Sequence, residues 1–221
     1  MNHQVLENNK VYLTGTIATR PIFSHAVYGE GFYETELEVP RLSGQSDRLP
    51  LTISERLLAN FGVEVGSQIA LLGQFRSFNR LENNKSRLVL SVFVRELLDL
   101  HLAPPNPNLI ELTGFICKPP VFRVTPFKRE ICDVLIAVNR SYNKSDYIPC
   151  ISWGRNARFV GELAVGERIN LMGRIQSRTY TKISQDGTPI ERVAYEVSVS
   201  RVMKAGVEDM VAVEMFPEKS E

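Results

Sequence analysis

The sequence is short of the residues that build active sites. It holds three histidines, His3, His25 and His101, placed at a terminus, in a loop and in a linker. None lies beside a matched carboxylate or cysteine. No HExxH, no GxSxG and no glycine-rich phosphate loop occurs, so neither catalysis nor a bound metal or other cofactor is expected. The three cysteines, Cys117, Cys132 and Cys150, are odd in number and form no CxxC pair. That excludes a disulfide framework and a zinc site and fits reduced thiols in a cytoplasm. Apolar runs such as Asp133 to Val138 are strand-length, far below the roughly 20 residues of a membrane-spanning helix. The opening "MNHQVLENNK" lacks the apolar core of a secretory signal. Tryptophan occurs once, at Trp153.

What the sequence has is an uneven charge. The net charge of +1 hides a near-neutral segment up to residue 105, a basic segment over 106–205 and an acidic end over 206–221. A basic segment is the electrostatic footprint of a nucleic-acid binder, although solvated surfaces are also often basic.

The chain also repeats. "VYLTGTIATRPIF" (Val11 to Phe23) reappears as "IELTGFICKPPVF" (Ile110 to Phe122), and "VGSQIALLGQFRS" (Val65 to Ser77) as "VGERINLMGRIQS" (Val165 to Ser177). Leu13, Thr14, Gly15, Ile17, Pro21 and Phe23 recur as Leu112, Thr113, Gly114, Ile116, Pro120 and Phe122. One register held across separate segments means two copies of one domain. We divide the chain into repeat one (1–103), repeat two (104–205) and an acidic tail (206–221). "HLAPPNPN" (His101 to Asn108), with three prolines, reads as a stiff, extended linker.

Each copy reads as strand by its alternation, its β-branched residues and its Gly/Pro punctuation. The exceptions are "SERLLANF" (Ser54 to Phe61), where Ser54 is a helix N-cap candidate, and "RNARFVGEL" (Arg155 to Leu163) at the matching place. Three strands, a short helix and two strands predict an all-β chain of two tandem OB-folds, five-stranded Greek-key barrels.

The stretch "NRSYNKSDYIPCISWGRNARF" (Asn139 to Phe159) interleaves Tyr142, Tyr147, Trp153 and Phe159 with Arg140, Lys144, Arg155 and Arg158. Exposed rings among cations suit a flexible polyanion of flat bases. Every base has a face to stack, and each neutralised phosphate releases counterions. Alternation along "INLMGRIQSRTY" puts Arg174, Gln176, Arg178 and Tyr180 on one strand face and apolar residues on the other. Tyr147, Ile151 and Trp153 share a parity, but so do Ile148 and Cys150 on the opposite side. Parity alone leaves Trp153 either in the core or on the surface.

Repeat two resembles a bacterial single-stranded DNA-binding protein domain. The resemblance rests on "LTGFICKPPVF", "VLIAVNRSY", "DYIPCISWGRNARFV", "VGERINLMGRIQSRTY" and "YEVSVSRV", in the family's order. It implies an OB-fold binding single-stranded DNA in replication, recombination or repair. Stacking would fall to Tyr142, Tyr147, Trp153 and Tyr180. Phosphate contacts would fall to Arg140, Lys144, Arg155, Arg174, Arg178 and Lys182, joined by Lys128 and Arg129 in the loop between the first two strands. Phe159 is expected to pack the helix.

Repeat one is a degraded copy. Arg48 and Ser54 stand where repeat two has Tyr147 and Trp153, and Glu34, Glu36 and Glu38 line one strand face. Its DNA contacts would come from Phe78, Arg41, Arg76 and Arg80. The family resemblance implies four OB-folds per particle, hence a homodimer of this two-repeat chain in the bacterial cytoplasm, at the nucleoid. Replication or recombination proteins are possible partners. A primosome-type accessory protein acting through protein contacts is the alternative, and RNA binding a third. The tail "GVEDMVAVEMFPEKSE" departs from the family's linker and Pro-Phe tip.

Overall fold

The computed structural model describes residues 7–82, 85–183 and 187–206, so most of the tail lies outside the described residues. Repeat one contains β1 (Asn9–Ile17), β2 (Ile22–Val27), β3 (Glu30–Pro40), β4 (Ser46–Ser54), α1 (Glu55–Phe61), β5 (Gln68–Glu82) and β6 (Lys85–Leu98). Repeat two contains β7 (Asn108–Ile116), β8 (Val121–Val124), β9 (Glu130–Arg140), β10 (Lys144–Trp153), α2 (Gly154–Gly161), β11 (Arg168–Ile183) and β12 (Pro189–Lys204).

Four strands precede each helix, where the sequence pattern predicts three. Pro21 in repeat one and Pro119–Pro120 in repeat two interrupt the first strand. Proline offers no N–H to a ladder and ends regular pairing there. The outer pieces, β2 and β8, pair instead as short arms with β3 and β9. The linker differs too: Leu100–Leu102 forms a turn of 3-10 helix, with the Asp99 carboxylate accepting from the His101 N–H at 2.9 Å.

Each repeat closes into a barrel. β1 pairs with β3 and β5, β3 with β4, β5 with β6, and β4 runs parallel to β6. Repeat two closes identically through β7, β9, β10, β12 and β11. Closure needs a sharp bend in β5 and β11, and the register shifts at Leu72/Gly73 and Met172/Gly173. A Cβ on Gly173 would sit 2.2 Å from the Ser198 carbonyl oxygen, so only glycine permits that approach.

Inward-facing side chains fill the barrels: Leu13, Leu37, Leu51, Phe75 and Val92 in the first, Leu112, Ile136, Ile148, Cys150, Ile175 and Val197 in the second. The two barrels form one twelve-stranded sheet because β1 pairs antiparallel with β7. Asn9 lies opposite Leu112, and Leu13 opposite Asn108, so equivalent residues exchange places across a local two-fold axis. Asn9 Nδ2 donates to the Phe75 carbonyl and its Oδ1 accepts from the Phe75 N–H, both at 2.8 Å. Asn108 does the same to Ile175 at 2.8 and 2.9 Å.

Candidate nucleic-acid interface

The rings that the sequence singles out lie on the outer surface. Register decides what parity leaves open. On β10, Ile148 and Cys150 point into the barrel, so Tyr147 and Trp153 point out, 46% and 41% exposed. Trp153 lies opposite Ile131 and Tyr147 opposite Ala137 on β9. Tyr142, Tyr180 and Phe78 are also exposed. Arg178 lies over the Tyr180 ring at 6.0 Å and Arg80 over Phe78 at 5.6 Å, cation–π distances. Phe159 packs against the core.

Two of these rings sit where the backbone would favour another residue. Trp153 occupies the N-cap position of α2 and makes no side-chain cap bond. At the equivalent place Ser54 caps α1, its Oγ accepting from the Leu57 N–H at 3.4 Å. An absent cap costs about 1 kcal/mol. Tyr142, at the β9–β10 turn, has φ 62° and Asn143 has φ 54°. A left-handed conformation costs roughly 1–2 kcal/mol for a residue with a Cβ. Locally unfavourable choices that hold exposed rings in place mark function more often than stability.

The cations divide into two groups. Lys128, Arg129, Lys144, Arg155 and Lys182 are exposed and make no ion pair among the described residues. Lys128 has φ 58° at the tip of the β8–β9 turn, next to Phe127, which is 87% exposed. Sequence reasoning missed Phe127. Its signal was the alignment with Tyr28, the equally exposed tip of the β2–β3 turn. Arg178 is exposed and lies 4.0 Å from Glu196.

The second group has carboxylate partners within the chain. Arg41, Arg76, Arg140 and Arg174, read as phosphate ligands, are drawn into the seam between the repeats by two fully buried carboxylates. Asp47 of β4 accepts from Arg41 at 2.5 and 2.7 Å and from Arg174 at 3.3 Å. It also accepts from the Ser177 backbone N–H at 2.7 Å and from Ser177 Oγ at 3.0 Å. Asp146 of β10 is its counterpart. It accepts from the Ser77 N–H at 2.7 Å and from Arg140 at 3.3 Å, with Arg76 at 3.8 Å. Each carboxylate thus caps a strand of the other repeat. Ser77 Oγ in turn accepts from the Tyr147 N–H at 2.7 Å, so repeat one holds the backbone of a ring in repeat two.

The two carboxylates differ in environment. The Arg41 and Ser177 hydrogen bonds outweigh burial and hold Asp47 below the usual carboxylate range. At Asp146 burial outweighs the Ser77 N–H and the Arg140 and Arg76 charges and pushes the carboxyl up, and its Oδ2 has no hydrogen-bond partner among the described residues. Arg80, also expected at phosphate, lies 3.2 Å from Glu34, which accepts from Ser24 Oγ at 2.8 Å as well. The acidic face of repeat one is therefore partly neutralised from within.

In repeat two Tyr142, Tyr147, Trp153 and Tyr180 are exposed, as are Lys128, Arg129, Lys144, Arg155, Arg178 and Lys182. The family model for the single-strand binding protein family matches residues 107–204, nearly the whole of repeat two. Single-stranded DNA-binding protein 1 of Staphylococcus aureus is 32% identical over 80 residues, covering 33% of this chain and 48% of that protein. Single-stranded DNA-binding protein B of Bacillus subtilis is 31% identical over 80 residues, covering 33% of this chain and 71% of that protein. The chain belongs to the single-strand binding protein family. It spans about half the length of the staphylococcal relative. The fold of both repeats together matches the crystal structure of the wild-type single-stranded DNA binding protein from Thermus aquaticus, with TM-score 0.66, 19% identity and 96% of each chain covered.

Proposed function

We propose that the protein binds single-stranded DNA without reading its sequence, mainly on the outer face of repeat two. Trp153, Tyr147, Tyr142 and Tyr180 stack bases, at roughly 1–3 kcal/mol per base. Lys128, Arg129, Lys144, Arg155, Arg178 and Lys182 neutralise phosphates and release counterions. Arg41, Arg76, Arg140 and Arg174, each partly exposed beside a seam carboxylate, add phosphate contacts at the seam. Duplex bases are already stacked on each other, so exposed rings select single strands. No step of this binding needs a catalytic group. The relatives' names point the same way: both are single-stranded DNA-binding proteins.

The observation that carries the reading is Trp153. It stands at a helix N-cap where the sister repeat has a capping serine, and it is exposed. The working assembly is a homodimer of two-repeat chains in the bacterial cytoplasm, serving replication, recombination or repair alongside the proteins of those processes. The test replaces Trp153 and Tyr147 together by alanine and measures the affinity for labelled oligo-dT by anisotropy. Affinity falls about a hundredfold while the melting temperature holds. Unchanged affinity refutes stacking.

A further inference from the structure

Repeat one lacks aromatics at the two strand positions that carry Tyr147 and Trp153 in repeat two. It does not lack rings on that face. Phe32 of β3 lies directly opposite Ser54 of β4, just as Ile131 lies opposite Trp153. The ring has moved to the other member of the cross-strand pair. Phe93 of β6 lies opposite Gln74 of β5, where repeat two has Ser198 opposite Arg174.

These rings form a row. His25 stacks on Phe32 with centroids 5.3 Å apart and planes 16° apart. Phe32 lies 5.6 Å from Phe93, and the Arg76 guanidinium 5.9 Å over Phe93. Phe32 and Phe93 are half-buried and His25 is exposed, so the row is partly open to solvent. Two of the nearby carboxylates are engaged. Glu34 faces Arg80 at 3.2 Å and Glu30 faces Arg56 at 3.9 Å. At the far end Arg76 adjoins Ser77, which holds the Tyr147 N–H. The Arg76 Nε is buried and has no hydrogen-bond partner among the described residues. The row therefore ends at the seam where the rings of repeat two begin.

We propose that His25, Phe32, Phe93 and Arg76 form a second base-stacking site for single-stranded nucleic acid, on strands other than those used in repeat two. It receives the part of a long strand that has crossed the seam from Tyr147. This rests on the single-strand reading of repeat two and extends it to a repeat whose sequence pattern points away from binding. The rings stack bases, and Arg76 supplies the cation at the crossing.

The test uses the full chain with Phe32→Leu and Phe93→Leu together, which keeps apolar volume and removes both ring faces. Affinity is measured for an oligo-dT of about 8 nucleotides, which fills one barrel, and for one of about 30, which spans both. The pair of substitutions lowers affinity for the long oligomer by about tenfold or more and leaves the short one unchanged. Photocrosslinking of a long iodo-deoxyuridine oligomer to the unsubstituted chain, mapped by mass spectrometry, labels Phe32 or Phe93 as well as Trp153 or Tyr147. Unchanged affinity for the long oligomer, equal losses for both lengths, or crosslinks confined to repeat two each overturn the second site and leave the function of repeat two standing. An unsubstituted chain that binds neither oligomer instead refutes the single-strand reading itself.

Discussion

Asp47 and Asp146 are the same residue of one repeated domain, yet neutralising them has different consequences. Asp47→Asn keeps the shape and one oxygen, which still serves the Ser177 N–H. The new NH₂ group must then face Arg41, which now donates to both carboxylate oxygens at 2.5 and 2.7 Å. Hydrogen bonds to charged groups are worth about 1.5–3 kcal/mol, and breaking a buried pair costs about 3–5. The substitution therefore destabilises the chain by about 3 kcal/mol, a fall of on the order of 10 °C in melting temperature for a chain of this size. At Asp146, Oδ2 has no hydrogen-bond partner among the described residues and Arg76 stands 3.8 Å away. An NH₂ group there displaces no hydrogen bond, and Asp146→Asn costs less than Asp47→Asn. The pH dependence has opposite signs. Asp47 has a lowered folded pKa, so its stabilisation is full above the ordinary value of 3.8 and is lost as pH falls through the folded value. Asp146 has a raised folded pKa, so its contribution is full below 3.8 and is lost as pH rises through the folded value. Urea unfolding of both variants at pH 7 and near pH 3 reads all of this. Equal losses at the two positions, or a deficit in Asp47→Asn that persists undiminished in acid, would refute the argument.

Other outcomes follow from the same geometry. Replacing Lys128 and Arg129 by alanine flattens the slope of log affinity against log salt by about 1.4, measured by oligo-dT titration from low to moderate salt. Gly173→Ala drives a Cβ to 2.2 Å from the Ser198 carbonyl and destabilises the chain by about 3 kcal/mol in thermal melts. Asn108→Ala removes both bonds that tie β7 to Ile175 and costs about 2 kcal/mol in urea unfolding. Under native alkylation, half-buried Cys117 reacts before Cys132 and Cys150, because burial pushes the Cys150 thiol far up, as mass spectrometry of timed samples would show.

The repeat and the barrels were legible because they rest on local pattern. Gly15 and Gly114 recur because a Cβ at either would meet a carbonyl oxygen, Glu38 at 2.3 Å or Ala137 at 2.7 Å. Such steric demands write the same letters into both copies. Alternation along β11 correctly separated Ile175 from Arg174 and Gln176. It failed for Trp153 because β10 is apolar on both sides, and only its pairing with β9 settles which side faces the barrel. The seam left no local signal at all. Asp47 and Ser177 are 130 residues apart, and each reads as an ordinary loop or strand polar residue. The ion pairs of Arg41, Arg76, Arg140 and Arg174 with Asp47 and Asp146 were therefore not legible. The His25–Phe32–Phe93 row was hidden for the same reason, since its members come from β2, β3 and β6.

The central claim is that the one tryptophan lies on a surface that stacks bases. The direct measurement is Trp153 fluorescence during titration with oligo-dT at two salt concentrations, with duplex DNA as the control. Strong quenching by the single strand alone, shifted to higher concentration by salt, is the predicted result. A flat fluorescence trace, or equal quenching by duplex, would contradict it.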